Sequence, residues 1–196
     1  MLEFEQDINI VFLNGKRVVL RPLLKIDIPR LLRWTNDPEV RKYVLRYLPV
    51  MEAHEDLWFE ALSKDKENIV LMIVVDNVAI GTMGIHRINW KDGVATTGAI
   101  IGEKEYWGNG YGSEAKMILL NYAFNTLNLR KICSTVIAFN ERSYHYNLKC
   151  GYLVEGRLKE HMYKDGAYWD EILMAVFKKD WLPLWEKFKE TYSFTS

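Results

Sequence analysis

The chain has 196 residues, 49% of them hydrophobic and 13% aromatic, and its 26 Lys plus Arg are balanced by 26 Asp plus Glu. That length and apolar content suit one domain over 1–196, and the even charge speaks against nucleic acid as a partner and against a charged tail. No apolar run reaches the ~18 residues of a membrane span, and the N-terminal Met-Leu-Glu-Phe-Glu-Gln-Asp carries no signal-peptide pattern. Cys133 and Cys150 stand in no CxxC or His-linked spacing, so a cytoplasmic chain with reduced, buried thiols and no membrane partner is expected.

Lys16 to Pro22 alternates, with Val18 and Leu20 on one side, and reads as a first strand. Asp27 is placed to cap a helix whose first turn accepts Pro29. Its apolar face is Ile28, Leu31 and Leu32. In Trp34-Thr35-Asn36-Asp37-Pro38-Glu39-Val40 the Asn-Asp-Pro triplet signals a turn and a new helix start. A further helix is expected over Met51 to Ser63, with Leu57, Trp58, Ala61 and Leu62 on one stripe. Asn68 to Val75, Val78 to Ile88 and Val94 to Ile101 then read as strands, joined by Asp76-Asn77 and by Trp90-Lys91-Asp92-Gly93. After a helix entered at Ser113, Lys131 to Ile137 is another strand. Asn140 caps a helix that stops at Gly151. Tyr152 to Met162 and Ala167 to Phe177 are strands joined around Lys164-Asp165-Gly166, and Asp180 to Tyr192 is a closing helix packed through Trp181, Leu184, Trp185 and Phe188. The order β-α-α-β-β-β-α-β-α-β-β-α implies an α+β fold, a mainly antiparallel sheet with helices on its faces.

The most informative stretch lies between Ala99 and Leu127. An apolar strand ends at Ile101, Gly108, Gly110 and Gly112 punctuate a loop, and Ala115, Ile118, Leu119, Tyr122 and Ala123 fall on one helical face. Strand, glycine loop and helix start together can hold phosphate. The first N–H groups of a helix lack internal partners and sit at its positive end, and glycines let a diphosphate approach them without meeting a Cβ. A connecting turn explains the loop equally well, since short glycine motifs carry a high false-positive risk. No Lys-Ser or Lys-Thr follows, as a P-loop needs, and the G-x-G-x-G spacing is not the dinucleotide G-x-G-x-x-G.

The segment resembles the acyl-CoA-binding motif of the GCN5-related N-acetyltransferases (GNAT), [QR]-x-x-G-x-[GA], with Gly110 and Gly112 at the two small positions and Trp107 where Gln or Arg is usual. Tyr-Trp-Gly-Asn-Gly-Tyr-Gly-Ser-Glu-Ala and Trp-x-Asn-Asp-Pro-Glu-Val look like the RimJ/RimL-like branch, which acts on ribosomal proteins. Asn140 to Tyr152, Asn-Glu-Arg-Ser-Tyr-His-Tyr-Asn-Leu-Lys-Cys-Gly-Tyr, is similar to the family's N-x-x-[AS]-x(5)-[EK]-x-G-[FY] segment. The resemblance spans nearly the whole chain. It implies an α/β sandwich whose central sheet splays at the cofactor site, between the strands ending at Ile101 and near Phe139. A pantetheine arm would then bond to open backbone near Ile101 and Gly102, as an added strand does. It also implies acetyl-CoA as cosubstrate. The residues expected to hold it are Ile101, Gly102, Trp107, Gly108, Asn109, Gly110, Tyr111, Gly112 and Ser113, with Asn140, Ser143, Tyr146 and Lys149 from the second motif. The family is often dimeric, so a homodimer is implied as well.

Acetyl transfer needs an amine to attack a thioester, an oxyanion to be held and a thiolate to leave. A lysine-like amine with a pKa near 10.4 costs roughly 4–5 kcal/mol to deprotonate at pH 7, an α-amine near 7.7–8 only about 1. The demand for a base therefore depends on the acceptor. The family's proton-donating Tyr falls on Asn147, whereas the Ser that serves in the RimL branch falls on Ser143, with Tyr144 and Tyr146 as neighbouring substitutes. The branch's carboxylate falls on Met162, with Glu160 and His161 nearby, and the family's strand Glu falls in the region of Thr96 and Thr97. Glu103 remains as the carboxylate closest to the motif and His86 as a second base. Trp34, Asn36 and His86 are expected on the acceptor side. Glu52, Glu55 and Asp56 either line a site for a cationic acceptor or solvate a helix. His54, His86, His145 and His161 show no paired metal-ligand spacing. The expected activity is acetyl transfer from acetyl-CoA to a primary amine, a protein N-terminus or a small molecule such as a polyamine, by direct attack in a ternary complex. The alternatives are a CoA-binding module that has lost catalysis and a nucleotide-phosphate binder.

Overall fold

The computed structural model describes residues 10–192. Its strands are β1 (Leu13–Asn14), β2 (Val19–Pro22), β3 (Ile69–Val75), β4 (Val78–Asn89), β5 (Val94–Ile101), β6 (Lys131–Ile137), β7 (Leu153–Lys164) and β8 (Ala167–Phe177). Its helices are α1 (Ile28–Asn36), α2 (Pro38–Arg41), α3 (Glu52–Leu62), α4 (Tyr111–Asn121), α5 (Glu141–Lys149) and α6 (Lys178–Tyr192). The strands form one sheet in the order β1-β2-β3-β4-β5-β6-β8-β7. All neighbours are antiparallel except β5 and β6.

Period-2 alternation sends the two faces of each strand into different cores. Leu71, Ile73 and Val75 of β3 join Leu20, Ile80 and Ile85 in a core shared with Ala115, Ile118 and Leu119 of α4. Met72, on the opposite face, packs with Leu31 and Trp34 of α1, and Trp58, Phe59 and Leu62 of α3 close over it. Helices therefore cover both sides of the sheet, as the element order implies. The hairpin at Asp76-Asn77 has positive φ at both residues, 48° and 64°, the primed turn that matches strand twist. Asp37 caps α2, accepting from the Glu39 and Val40 amides at 2.8 and 3.3 Å. On α6, Trp181 is fully buried and stacks on Trp185 with ring centroids 5.2 Å apart.

The parallel pair positions the site. β5 and β6 pair only over Val94–Thr96 and Lys131–Cys133. Beyond Thr96, β5 stays with β4 as far as Ile101, and β6 stays with β8 as far as Ile137. Each strand keeps its antiparallel partner, so the two separate and the sheet opens as a fork.

Several expectations are corrected. The first strand begins at Val19 rather than Lys16, because Gly15 and Val18 form a tight turn (amide to carbonyl, 2.8 Å) that pairs β1 with β2. Asp27 is not a cap. It is 1% exposed and makes a two-pronged ion pair with Arg21 at 2.7 and 2.8 Å, also accepting from the Leu24 amide. Leu57 is exposed on α3 while Glu55 is buried. The end of the long helix widens into a π turn over Tyr122–Thr126.

Candidate active site

The loop after β5 works as its glycines require. Gly108 and Gly110 have φ of 81° and 83°, a region that side chains rarely adopt, and a Cβ at Gly108 would project into open space. The chain thus turns into α4 with Gly110 as its N-cap, and the unpaired amides of the first helical turn open on a cavity of about 330 Å³. Glu114 fixes that helix end. It is fully buried and accepts from the Arg17 amide at 2.7 Å and the Arg17 side chain at 2.9 Å. Ile101, Trp107, Gly108, Gly110, Tyr111, Gly112 and Ser113 form one wall of this cavity, and Asn140, Ser143, Tyr146 and Lys149 of α5 face them. Asn140 is also the cap of α5, its Oδ1 accepting from the Ser143 amide at 3.1 Å.

Four residues expected here lie elsewhere. The Gly102 amide donates to the Ile80 carbonyl at 2.8 Å, and its Cα is packed so tightly on Trp34 that a Cβ would come within 2.1 Å of the indole. Gly102 therefore faces away from the fork. Backbone alternation turns Ala99 and Ile101 to the open side instead, where Ile101 already accepts from the Trp107 indole N–H at 2.8 Å. Asn109 bonds the Glu105 carbonyl outside the cavity. Asn36 spans Leu32 and both backbone groups of Val50, tying down the loop that carries Tyr43 and Val44. Lys164 pins the same loop from β7, donating to the Arg41 and Val44 carbonyls at 2.8 Å. Glu103 pairs with Arg33 and accepts from the Trp34 indole, lining neither cavity.

Through the fork the first cavity meets a second of about 460 Å³, bounded by α1, α3 and the far face of β4 and β5. The two share Tyr43, Val44, Ala99, Ile100, Asn140, Ser143 and Tyr146. Trp34 and His86 line the second cavity, and so does Glu55, paired with Arg46 at 3.4 Å. His86 precedes a bulge at Arg87 (φ 52°) where the β4–β5 register shifts, the kind of irregularity that re-aims a side chain. His86 Nδ1 lies 3.2 Å from Asn68 Oδ1. A carbonyl oxygen only accepts, so Nδ1 carries the proton and Nε2 keeps its lone pair. Nε2 lies over Gly84 and Gly98, and a Cβ at Gly84 would be 2.6 Å from it. Burial and the neighbouring Arg87 and Lys116 charges hold the imidazole below its ordinary 6.5, favouring the neutral form. Glu160, the other acid considered, is exposed, and its amide donates to Asp170.

Two residues not singled out from the sequence, Arg142 and Lys116, and the buried polar atoms of two that were, Tyr146 and Asn147, complete the site. Arg142 places its guanidinium 4.1 Å from the Trp107 ring centroid and 4.7 Å from that of Tyr43, closing the first cavity; its place two residues after the Asn140 cap was the available signal. Lys116 is buried, donates to Thr97 Oγ1 at 2.6 Å and is pushed down by burial to about 8. The Tyr146 hydroxyl and Asn147 Oδ1 are buried without a hydrogen-bond partner among the described residues. Cys150 is buried and its thiol is pushed up to about 12, which makes it a poor nucleophile. Among the described residues no three His, Cys, Asp or Glu side chains gather as a metal site, and no helix is long and apolar enough to cross a membrane.

Comparison with known proteins bears on this architecture. The chain is 30% identical over 171 residues to the uncharacterized N-acetyltransferase YoaA of Bacillus subtilis, covering 85% of this chain and 96% of that protein. It is 29% identical over 171 residues to the spermidine N(1)-acetyltransferase of Escherichia coli, covering 86% and 90%. A spermidine N-acetyltransferase from Vibrio cholerae, solved with CoA and spermine, shares the fold with a TM-score of 0.81 at 23% identity, over 86% of this chain and 99% of that one. Residues 17–153 match the model of the acetyltransferase (GNAT) domain; with the forked sheet and the glycine cradle at its mouth, this chain is an N-acetyltransferase of the GNAT family.

Proposed function

We propose that the protein transfers the acetyl group of acetyl-CoA to the primary amine of a small molecule, by direct attack within a ternary complex. The observation that carries this reading is the fork, where a glycine-walled cavity and an acceptor-sized cavity meet across Ala99, Ile100, Asn140, Ser143 and Tyr146. The fit to acetyl-CoA rests on the cradle itself. The amides at the start of α4, with Gly108, Gly110 and Gly112 beside them, suit a diphosphate, and Lys149 and Arg142 add positive charge to the same cavity. Bound acetyl-CoA supplies an activated thioester; this chain's residues position the amine and move protons.

His86 replaces Glu103 as the assigned base. A neutral imidazole with Nδ1–H fixed by Asn68 and a free Nε2 facing the acceptor cavity can take an amine proton directly or through one water. Ser143, in the wall common to both cavities, is assigned the proton returned to the departing thiolate. A small amine rather than a protein N-terminus is favoured by the spermidine-acetylating relatives, while the Trp107 and Asn-Asp-Pro signatures favour the RimJ/RimL-like branch.

The test is a free-thiol assay over a panel of peptides, amino acids, polyamines and aminoglycosides, run beside calorimetric titration of acetyl-CoA, CoA and ATP. Micromolar binding of acetyl-CoA with thiol release on at least one amine is the expected result. Tight CoA binding without turnover of any amine would leave a binding module, and preference for ATP would sink the reading.

A further inference from the structure

Among the described residues, Lys116 is the one cation of the acceptor cavity shielded from solvent, only 1% exposed on α4. Its ammonium sits 5.1 Å from the ring centroid of Tyr146 and 4.8 Å from that of Tyr152. An ammonium has three N–H donors, and one is used, on Thr97 Oγ1 at 2.6 Å. Thr97 is in turn engaged by the Tyr152 hydroxyl at 2.8 Å. Among the described residues no carboxylate bonds Lys116. A buried charge is ordinarily paired, and here burial lowers the ammonium to about 8, a cost that an anion beside it would offset. On the same wall the Tyr146 hydroxyl is buried with no hydrogen-bond partner among the described residues.

The rest of the wall does not supply the missing anion. Glu55 is engaged with Arg46 at 3.4 Å, and Glu171 faces His161 at 3.6 Å. Arg87 meets the Thr96 hydroxyl at 3.4 Å, and His86 is held toward its neutral form. A polycation would meet Arg46, Arg87 and Lys116 there, against two carboxylates that already have partners. A carboxylate would meet donors.

Resting on the acetyltransferase reading above, we propose that Lys116 and the Tyr146 hydroxyl form a buried carboxylate-binding site at the root of the fork. The carboxylate arrives either on the acceptor amine or at the far end of the acyl group. Both would reach the wall formed by Thr97, Lys116, Tyr146 and Asn147. Asn147 Oδ1, also buried and unpartnered among the described residues, is the adjacent acceptor for an N–H of the same ligand.

Two arms distinguish the sources, each reading kcat/KM. With acetyl-CoA fixed, tyrosine is compared with tyramine and arginine with agmatine. With one neutral-tailed amine fixed, succinyl-CoA is compared with propionyl-CoA. At least a tenfold preference for the carboxylate-bearing partner in one arm is expected, falling below twofold in Lys116→Met. Absence of preference in both arms, or a preference that survives Lys116→Met, overturns the site. Should Lys116→Met fail to fold by circular dichroism, the wild-type arms still decide the preference, and Tyr146→Phe must reduce it at least threefold. Turnover without any carboxylate preference defeats this inference alone; no thiol release from any acyl-CoA with any amine defeats the acetyltransferase reading as well.

Discussion

The two cavities that meet at the fork are built by different means. The cavity proposed for acetyl-CoA draws most of its wall from two continuous segments, the end of β5 running through the glycine loop into α4, and α5 with its cap, and the loop carrying Tyr43 and Val44 completes it. The cavity proposed for the acceptor is a patchwork of side chains, Trp34 from α1, Glu55 from α3, His86 from β4, Lys116 from α4 and Glu171 from β8. A diphosphate asks for backbone N–H groups and room to approach them. An amine asks for a base, a shape and a charge pattern, which are side-chain properties. The first side should therefore fail through backbone changes and lose cofactor affinity, and the second through side-chain changes that lose turnover or selectivity.

The largest expected effect follows from Gly110→Val. A β-branched residue at φ 83° is strained, and its Cβ would also press on the Arg17 guanidinium at 3.4 Å. Loss of two charge-assisted hydrogen bonds to the diphosphate weakens acetyl-CoA by roughly 10³-fold, read by calorimetry on a variant whose circular dichroism is unchanged. Unaltered affinity in that folded variant would remove the cradle as the phosphate site. Ser143→Ala tests the shared wall. If Ser143 protonates the thiolate, kcat falls by about 10²-fold with acetyl-CoA affinity preserved; a fall in affinity with kcat preserved would reassign it to pantetheine binding.

His86→Gln probes the acceptor side and is expected to lower kcat by about 10-fold to 10²-fold with a lysine-like amine, less with an α-amine, whose proton is easier to remove. The sign with pH follows from the depressed imidazole. His86 is neutral and competent at and above 6.5, and its activity is lost as pH falls through its lowered pKa. The acid limb of kcat at saturating amine should lie below pH 6.5 and vanish in His86→Gln. A limb unchanged in the variant would remove His86 as the base. The smallest effect belongs to Glu103→Gln. Its carboxylate is committed to Arg33 and Trp34, so kcat/KM should stay within about twofold across pH 6 to 9. A tenfold loss at low pH would restore Glu103 as the base.

Read as a linear string, the chain fixes what depends on near neighbours. Apolar runs bounded by turn residues gave β3, β4, β5, β6 and β8 to within a residue or two, because such runs between turns mark buried strands. Gly108, Gly110 and Gly112 marked the cradle, and Asn140 and Gly151 bounded α5, since a turn or cap needs its residue type at one position. What the tertiary structure alone decided is where side chains go once distant elements meet. Glu103 sits two residues past β5, yet Arg33 and Trp34, some seventy positions earlier, hold it away from the fork. Asn36 proved to be a tie for the Val50 loop. Lys116 drew no notice in the sequence, but α4 is buried on nearly every side, so its ammonium is carried into the fork. Burial, pairing and the pKa values that follow from them are sums over everything packed around a group, and most of that surrounding comes from residues far away in the chain.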